Sequence, residues 1–238
     1  MIAKKKSAFV LNLIFFLAII ILDIFYIVNG GIVLKSITSA CFFLLGVINL
    51  IFVLKMKTEK IKFSILLLVG LFFAMLGDIL LEINFIVGAI FFAIGHIFYF
   101  ISFCFLERLK WTDLIFGIVI FIPSVLVITL YPHFDFGGVA MEVLCVVYAF
   151  VISFMVGKAI SMYVAKRSTS RLIIMIGTIL FFFSDLMLLF NVFSSVSSAF
   201  GVLCLATYYP AEFLLAFSIL FTTVLDQILQ SNNSAKAK

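Results

Sequence analysis

Charge is what this chain has least of. Only 11% of its 238 residues are Asp, Glu, Lys or Arg, against about 25% in a soluble domain, so no water-facing surface can be built from it. Histidine occurs twice, too sparsely for the histidine-rich ligand sets that zinc enzymes favour. Cysteine occurs four times, always singly, at Cys41, Cys104, Cys145 and Cys204. With no CxxC pair and with apolar flanks, these read as free thiols packed as small apolar residues. The three prolines, Pro123, Pro132 and Pro210, are read as lying toward helix ends or in loops. There is no Gly-rich phosphate loop, no GxSxG and no Ser-His-Asp signature, and neither a metal nor a cofactor is expected.

What the chain does have is apolar length. It is 66% hydrophobic, with a mean hydropathy of +1.39. Its solvent is therefore lipid, in which every backbone N–H and C=O needs an internal partner and only helices or a closed barrel survive. The apolar runs are continuous over about 20 residues, the length a spanning helix needs, whereas barrel strands alternate over about ten. The expected fold is all-α: a polytopic membrane bundle of about eight transmembrane helices forming one integral-membrane domain over residues 1–238. The helices are placed at roughly 8–28, 32–54, 62–82, 84–106, 112–131, 138–163, 171–193 and 200–228. The run from Phe9 to Val28 is too long for the apolar core of a signal peptide and is read as a retained first helix.

Orientation follows from the basic residues. With the N-terminus inside, 15 of the 16 Lys and Arg fall in cytoplasmic segments and Lys35 alone lies outside, as the positive-inside rule requires. Both termini are thus expected in the cytoplasm. The basic balance reports topology, and no nucleic-acid partner is expected. Residues 71–81, LFFAMLGDILL, echo residues 180–189, LFFFSDLMLL, which is compatible with a parallel 4+4 repeat.

An ionisable side chain within a span costs about 2.5–3.5 kcal/mol on insertion scales, so each one needs a reason. Those present are Asp78, Glu82, His96, Glu142, Asp185 and Glu212, with Asp23 nearer a helix end. Asp78 and Glu82 share a face of helix 3, and His96 shares one with Tyr99 in helix 4. Tyr208, Tyr209 and Glu212 cluster in helix 8; Asp185 has Ser184 beside it and Asn191 two turns on. At 1.5 Å per residue, Asp78 lies about 6 Å and Asp185 about 12 Å from the outer helix ends, with His96 and Glu212 about 18 Å in. All can line one cavity open to the outer side, and the inner half is read as nearly free of such groups. Asp23, Glu82 and Glu142 are read as near enough to an interface to be solvated, and His133 as exposed in a loop. Asp78 and Asp185 stand out because no basic residue in a span is expected to pair with them. Lys35 is either an interfacial lysine or a phosphate contact.

At these residues the chain resembles the YhhN-like family, the lysoplasmalogenases. The matching stretches are GLFFAMLGDILL (70–81), FIVGAIFFAIGHIFYFISF (85–103), IGTILFFFSDLMLLFNVF (176–193) and TYYPAEFLLAFS (207–218), with Lys35-x-x-Thr38 and Tyr148 also fitting. The sequence departs at Ser36, where the family usually has Pro, and at Glu212, where it usually has Gln. The resemblance implies hydrolysis of the vinyl ether bond of a lysoplasmalogen, giving a fatty aldehyde and glycerophosphoethanolamine or glycerophosphocholine. Asp78 and Asp185 would then be the acid and base, with His96 orienting one of them or the water. Tyr208 and Glu212 would complete a polar wall; Tyr99, Tyr148, Glu82 and Asn191 would contact substrate, and Lys35 its phosphate. The expected partners are a lysophospholipid substrate and membrane lipid. The Phe-, Ile- and Lys-rich composition points to a bacterial inner membrane, with an endoplasmic reticulum membrane as the alternative.

Intramembrane carboxylates also suit a proton-coupled transporter of a small or lipid-like solute. A third reading is an assembly protein whose polar groups only join helices.

Overall fold

A computed structural model describes the backbone of residues 2–56, 58–194 and 196–236, and the side chains of 7–56, 58–194 and 196–224. Lys57 and Lys238, and the side chains of Lys4, Lys5, Lys6 and Lys236, lie outside the described residues. Eight helices follow one another: α1 (Ile2–Asn29), α2 (Ile32–Lys55), α3 (Ile61–Leu81), α4 (Phe85–Leu106), α5 (Trp111–Leu130), α6 (Val139–Ala165), α7 (Thr169–Phe193) and α8 (Ala199–Lys236). No strand occurs among the described residues. Each helix is long and apolar enough to cross a membrane, and the chain is a multi-pass membrane protein.

The helices end where the sequence stops supplying apolar residues. Between α1 and α2, Gly30 and Gly31 both take positive φ, 67° and 99°, conformations only glycine adopts cheaply, so the chain reverses within two residues. Asn84 caps α4 by accepting from the Val87 N–H at 3.2 Å. Ser168 caps α7 by accepting from Arg171 N–H at 3.4 Å, satisfying donors that have no partner within the helix.

Lipid offers helices no hydrophobic reason to associate, so close backbone approach matters most. The tightest pairs, α3 with α4, α5 with α6 and α7 with α8, meet through small residues. Gly70 faces Gly95 and Gly77 faces Gly88 across α3 and α4; a Cβ on Gly88 would come within 2.5 Å of the Leu81 backbone nitrogen. Gly117 and Gly157 serve the same purpose between α5 and α6.

Neighbour relations recur with a four-helix offset. α1 touches α2 as α5 touches α6, α2 touches α3 as α6 touches α7, and α2 touches α8 as α6 touches α4. The contacts of α8 with α1 and α3 have no counterpart.

Two expectations are corrected here. Pro123 and Pro210 lie inside α5 and α8 rather than at their ends; the helices absorb the missing N–H and continue through them. The lysine-rich half of the bundle is not free of buried charge either. Lys158 is fully buried in α6, 2.7 Å from Asp113 of α5, and it also donates to the Arg108 carbonyl at 3.0 Å. A long chain of methylenes lets a lysine near a helix end bury its stem, and here the ammonium is buried with it.

Candidate functional site

The polar residues that lipid should exclude converge toward the opposite, lysine-poor end, between α2, α3, α7 and α8. Small residues admit them. Gly70 leaves the space occupied by the Tyr99 ring, and Gly77 the space occupied by Phe92. Phe181 of α7 is fully buried among the rings of Phe92, His96, Tyr99 and Tyr208, with centroids 4.7–6.4 Å apart. Of these rings, Phe92 and Tyr208 line a cavity of about 260 Å³ whose lining also includes Lys35, Asp78, Glu82, Asp185 and Asn191, while His96, Tyr99 and Phe181 pack behind them. Ligand pockets for whole drug-sized molecules run roughly 300–1,000 Å³, so the cavity suits the polar part of a lipid better than all of it.

Asp78 and Asp185 both line this cavity, and their surroundings differ. The Asp78 carboxylate forms an ion pair with the Lys35 ammonium at 3.3 Å and accepts hydrogen bonds from the hydroxyls of Ser39 and, at 3.0 Å, Tyr209. Lys35 also reaches Glu82 at 2.9 Å. Among the described residues Asp185 has no Lys or Arg partner. Its Oδ2 accepts from the Tyr148 hydroxyl at 2.6 Å and lies 3.2 Å from His96 Nε2, which is itself 2.8 Å from the Tyr148 oxygen. His96 is fully buried and its Nδ1 has no partner among the described residues.

The expectation that no basic residue pairs with either aspartate therefore fails for Asp78. Lys35 lies one turn into α2, so its stem and ammonium fold inward along the helix and reach α3. It is buried, paired with two carboxylates, and lines the cavity. Glu82, just past the end of α3, is half-exposed as expected and accepts from Tyr26 at 2.7 Å as well. Its partial burial pushes the carboxyl up, but the hydrogen bonds from Lys35 and Tyr26 and the Lys35 charge outweigh this and hold it below the ordinary glutamate range.

Tyr99 and Glu212 are brought together, yet they do not line the cavity. Glu212 sits one turn below Tyr208 on α8, accepts from the Tyr99 hydroxyl at 2.8 Å through Oε2, and leaves Oε1 without a partner among the described residues. Both are fully buried. Glu142 takes no part in the site, and His133 is exposed in the turn after α5.

Two contributors, Ser39 and Tyr26, are not singled out in the sequence, and the role of Tyr209 is not legible there. Ser39 is one turn beyond Lys35 on the same face of α2, a spacing that could have flagged it. Tyr209 sits beside Tyr208 and was grouped with it, but nothing in the sequence said that it faces Asp78. Tyr26 belongs to α1, as does Asp23, which was read as solvated. Asp23 is only 3% exposed and its Oδ1 lacks a partner, because α2 and α8 both pack on α1 and close off the interface.

No group of three or more His, Cys, Asp or Glu positioned to hold a metal occurs among the described residues. Chemically, the cavity is lined by three carboxyl groups, Asp78 and Glu82 tied to Lys35 and Asp185 held by Tyr148 and His96. Such divided surroundings are how one site carries an acid and a base together.

Comparison with known proteins bears on this arrangement. No curated protein and no solved structure matches the chain. A family match covers residues 33–219, more than half of the chain, taking in α2 to most of the membrane-spanning part of α8 and therefore both aspartates, Lys35 and His96. Only α1, with Asp23 and Tyr26, contributes to the site from outside the match. On that extent of similarity, the chain belongs to the YhhN family.

Proposed function

We propose that this protein is a membrane lipid hydrolase that cleaves the vinyl ether bond of lysoplasmalogens by carboxylate acid–base catalysis. One observation carries the reading: Asp78 and Asp185 line a single cavity with one carboxylate ion-paired to Lys35 and the other held by Tyr148 and His96.

The chemistry needs that pair. A vinyl ether, R–CH=CH–O–R′, is cleaved by adding a proton to the carbon β to oxygen, which leaves an oxocarbenium ion at the α-carbon. Water adds there and surrenders a proton to a carboxylate, giving a hemiacetal. The hemiacetal collapses as its C–O bond to R′ breaks and the glycerol oxygen takes up a proton. The products are R–CH₂–CHO and R′–OH, with one water consumed. Glycosidases handle a like oxocarbenium-type transition state with two carboxyl groups. In this reading the negative cluster around Asp78 faces the developing positive charge, and His96 and Tyr148 fix the orientation of Asp185. Positive-inside orientation turns the cavity mouth away from the cytoplasm, and a bacterial inner membrane is the proposed location.

The test is aldehyde release from lysoplasmenylethanolamine by purified protein, with D78N and D185N alongside. Release by the wild type and a loss of about 10²–10⁴-fold in each variant are expected. Absence of release from the wild type overturns the reading.

A further inference from the structure

The polar cavity does not end blindly. Beside it, between α4, α5, α6 and α7, runs an apolar slot of about 80 Å³ lined by residues including Ala89, Ile128, Cys145, Ala149 and Ile152. Slot and cavity share Leu81, Phe85, Phe92, Leu188 and Asp185. Asp185 is the one charged group common to both, and Tyr148, which donates to it, lines the slot. Of these helices, α5 packs against α6 and makes no comparable contact with α4 or α7 among the described residues. Val143 and Val147, next to the slot-lining Leu144 and Tyr148 on α6, are exposed.

We propose that this slot holds the single hydrocarbon chain of the lipid whose head occupies the polar cavity, and that this places Asp185 at the ether as the proton donor. Continuity decides the occupant. A chain lying in the slot with its polar end in the cavity must pass Asp185, and a one-chained amphiphile is the ligand that matches one apolar limb joined to one polar limb. The direction of the chain then divides the labour that the two aspartates share. In a vinyl ether the carbon to be protonated lies on the chain side of the oxygen. Asp185 borders the slot, whereas Asp78 lies among Lys35, Ser39 and Tyr209 on the head-group side. Among the described residues none donates to Asp185 Oδ1 while Tyr148 and His96 hold Oδ2, so one oxygen is anchored and the other is free to work. Asp185 gives its proton to the β-carbon, and the Asp78 carboxylate takes one from the water that adds to the α-carbon; as the hemiacetal collapses, its hydroxyl proton returns to Asp185 and Asp78 passes its proton to the glycerol oxygen.

The chain assignment deepens the hydrolase reading but is tested apart from it. The probe is a saturated 1-O-alkyl lysophosphoethanolamine with a diazirine at mid-chain, which cannot undergo vinyl ether cleavage. After photolysis of the wild-type protein with this probe, the adducts should map to α5, α6 and α7 around Cys145 and Ala149, and an unlabelled analogue should compete them away. Adducts on α1, α2 or α8, or labelling that no analogue competes, overturn the proposal. As a second arm, Cys145→Phe should weaken binding of an 18-carbon chain relative to a ten-carbon chain, by about fourfold per methylene excluded, and leave head-group preference unchanged. Equal weakening for both chains counts against the slot. Competed adducts in the slot together with no aldehyde release from lysoplasmenylethanolamine would keep the chain site and sink the hydrolase reading. Aldehyde release with adducts elsewhere would do the reverse.

Discussion

At the scale of residues, the site is organised by one lysine. Lys35 is the only cation among the groups lining the cavity, and it neutralises Asp78 while tethering Glu82. Removing one partner of a buried pair leaves an uncompensated charge and costs about 3–5 kcal/mol. Lys35→Met should therefore lower the melting temperature of the detergent-purified protein as well as its activity. A variant with unchanged melting temperature would show that the Asp78 pair is not formed. Glu82 sets a pH dependence of known sign. Because its folded carboxyl is held below its ordinary value, the contribution is complete above the unfolded glutamate pKa. It is lost as pH falls through the lower, folded one. Stability should drop on acidification in that range, and E82Q should flatten part of the drop. Glu107 at the other end titrates the same way: partial burial raises it, but a hydrogen bond from Lys110 and the charges of Arg171, Lys110 and Lys158 bring it down. An E82Q profile parallel to the wild type would refute the assignment.

The elements explain why some of this could be read from sequence and some could not. The eight helices were legible because lipid demands uninterrupted apolar runs and tolerates charge only where it is satisfied. Asp78, Asp185, His96 and Glu212 were legible for the same reason, as exceptions inside those runs. Pairing was not legible. Lys35 and Asp78 are on different helices, and a lysine one turn from a helix end looks like any interfacial lysine. Lys158, one of the fifteen basic residues that fall in cytoplasmic segments, is fully buried against Asp113. Asp23 was misjudged because burial of α1 depends on α2 and α8, which no local pattern reveals. The Asp113–Lys158 pair yields its own prediction. D113L and K158M should each destabilise by about 3–5 kcal/mol, while the double variant D113L/K158M should recover most of that loss. Thermal unfolding of the three variants measures the coupling, and simple additivity would contradict a direct pair.

On the scale of the whole molecule, one bundle carries two unlike ends. The lysine-rich end is tied by Asp113–Lys158 and by Glu107 with Lys110 and Arg171, which fastens α4, α5, α6 and α7 to one another. The other end opens a cavity with three carboxylates and one lysine among its lining groups. Local steric and solvation rules account for both, since small residues bring the helices together and the polar groups occupy what remains between them. The central claim is that this cavity protonates carbon, and hydrolysis of lysoplasmenylethanolamine in D₂O tests it most directly. If a carboxylic acid protonates the β-carbon, the fatty aldehyde released at early times carries one deuterium on the carbon next to its carbonyl, read as a one-unit mass increase. Aldehyde without that deuterium, or no aldehyde from the wild-type protein, would contradict the account.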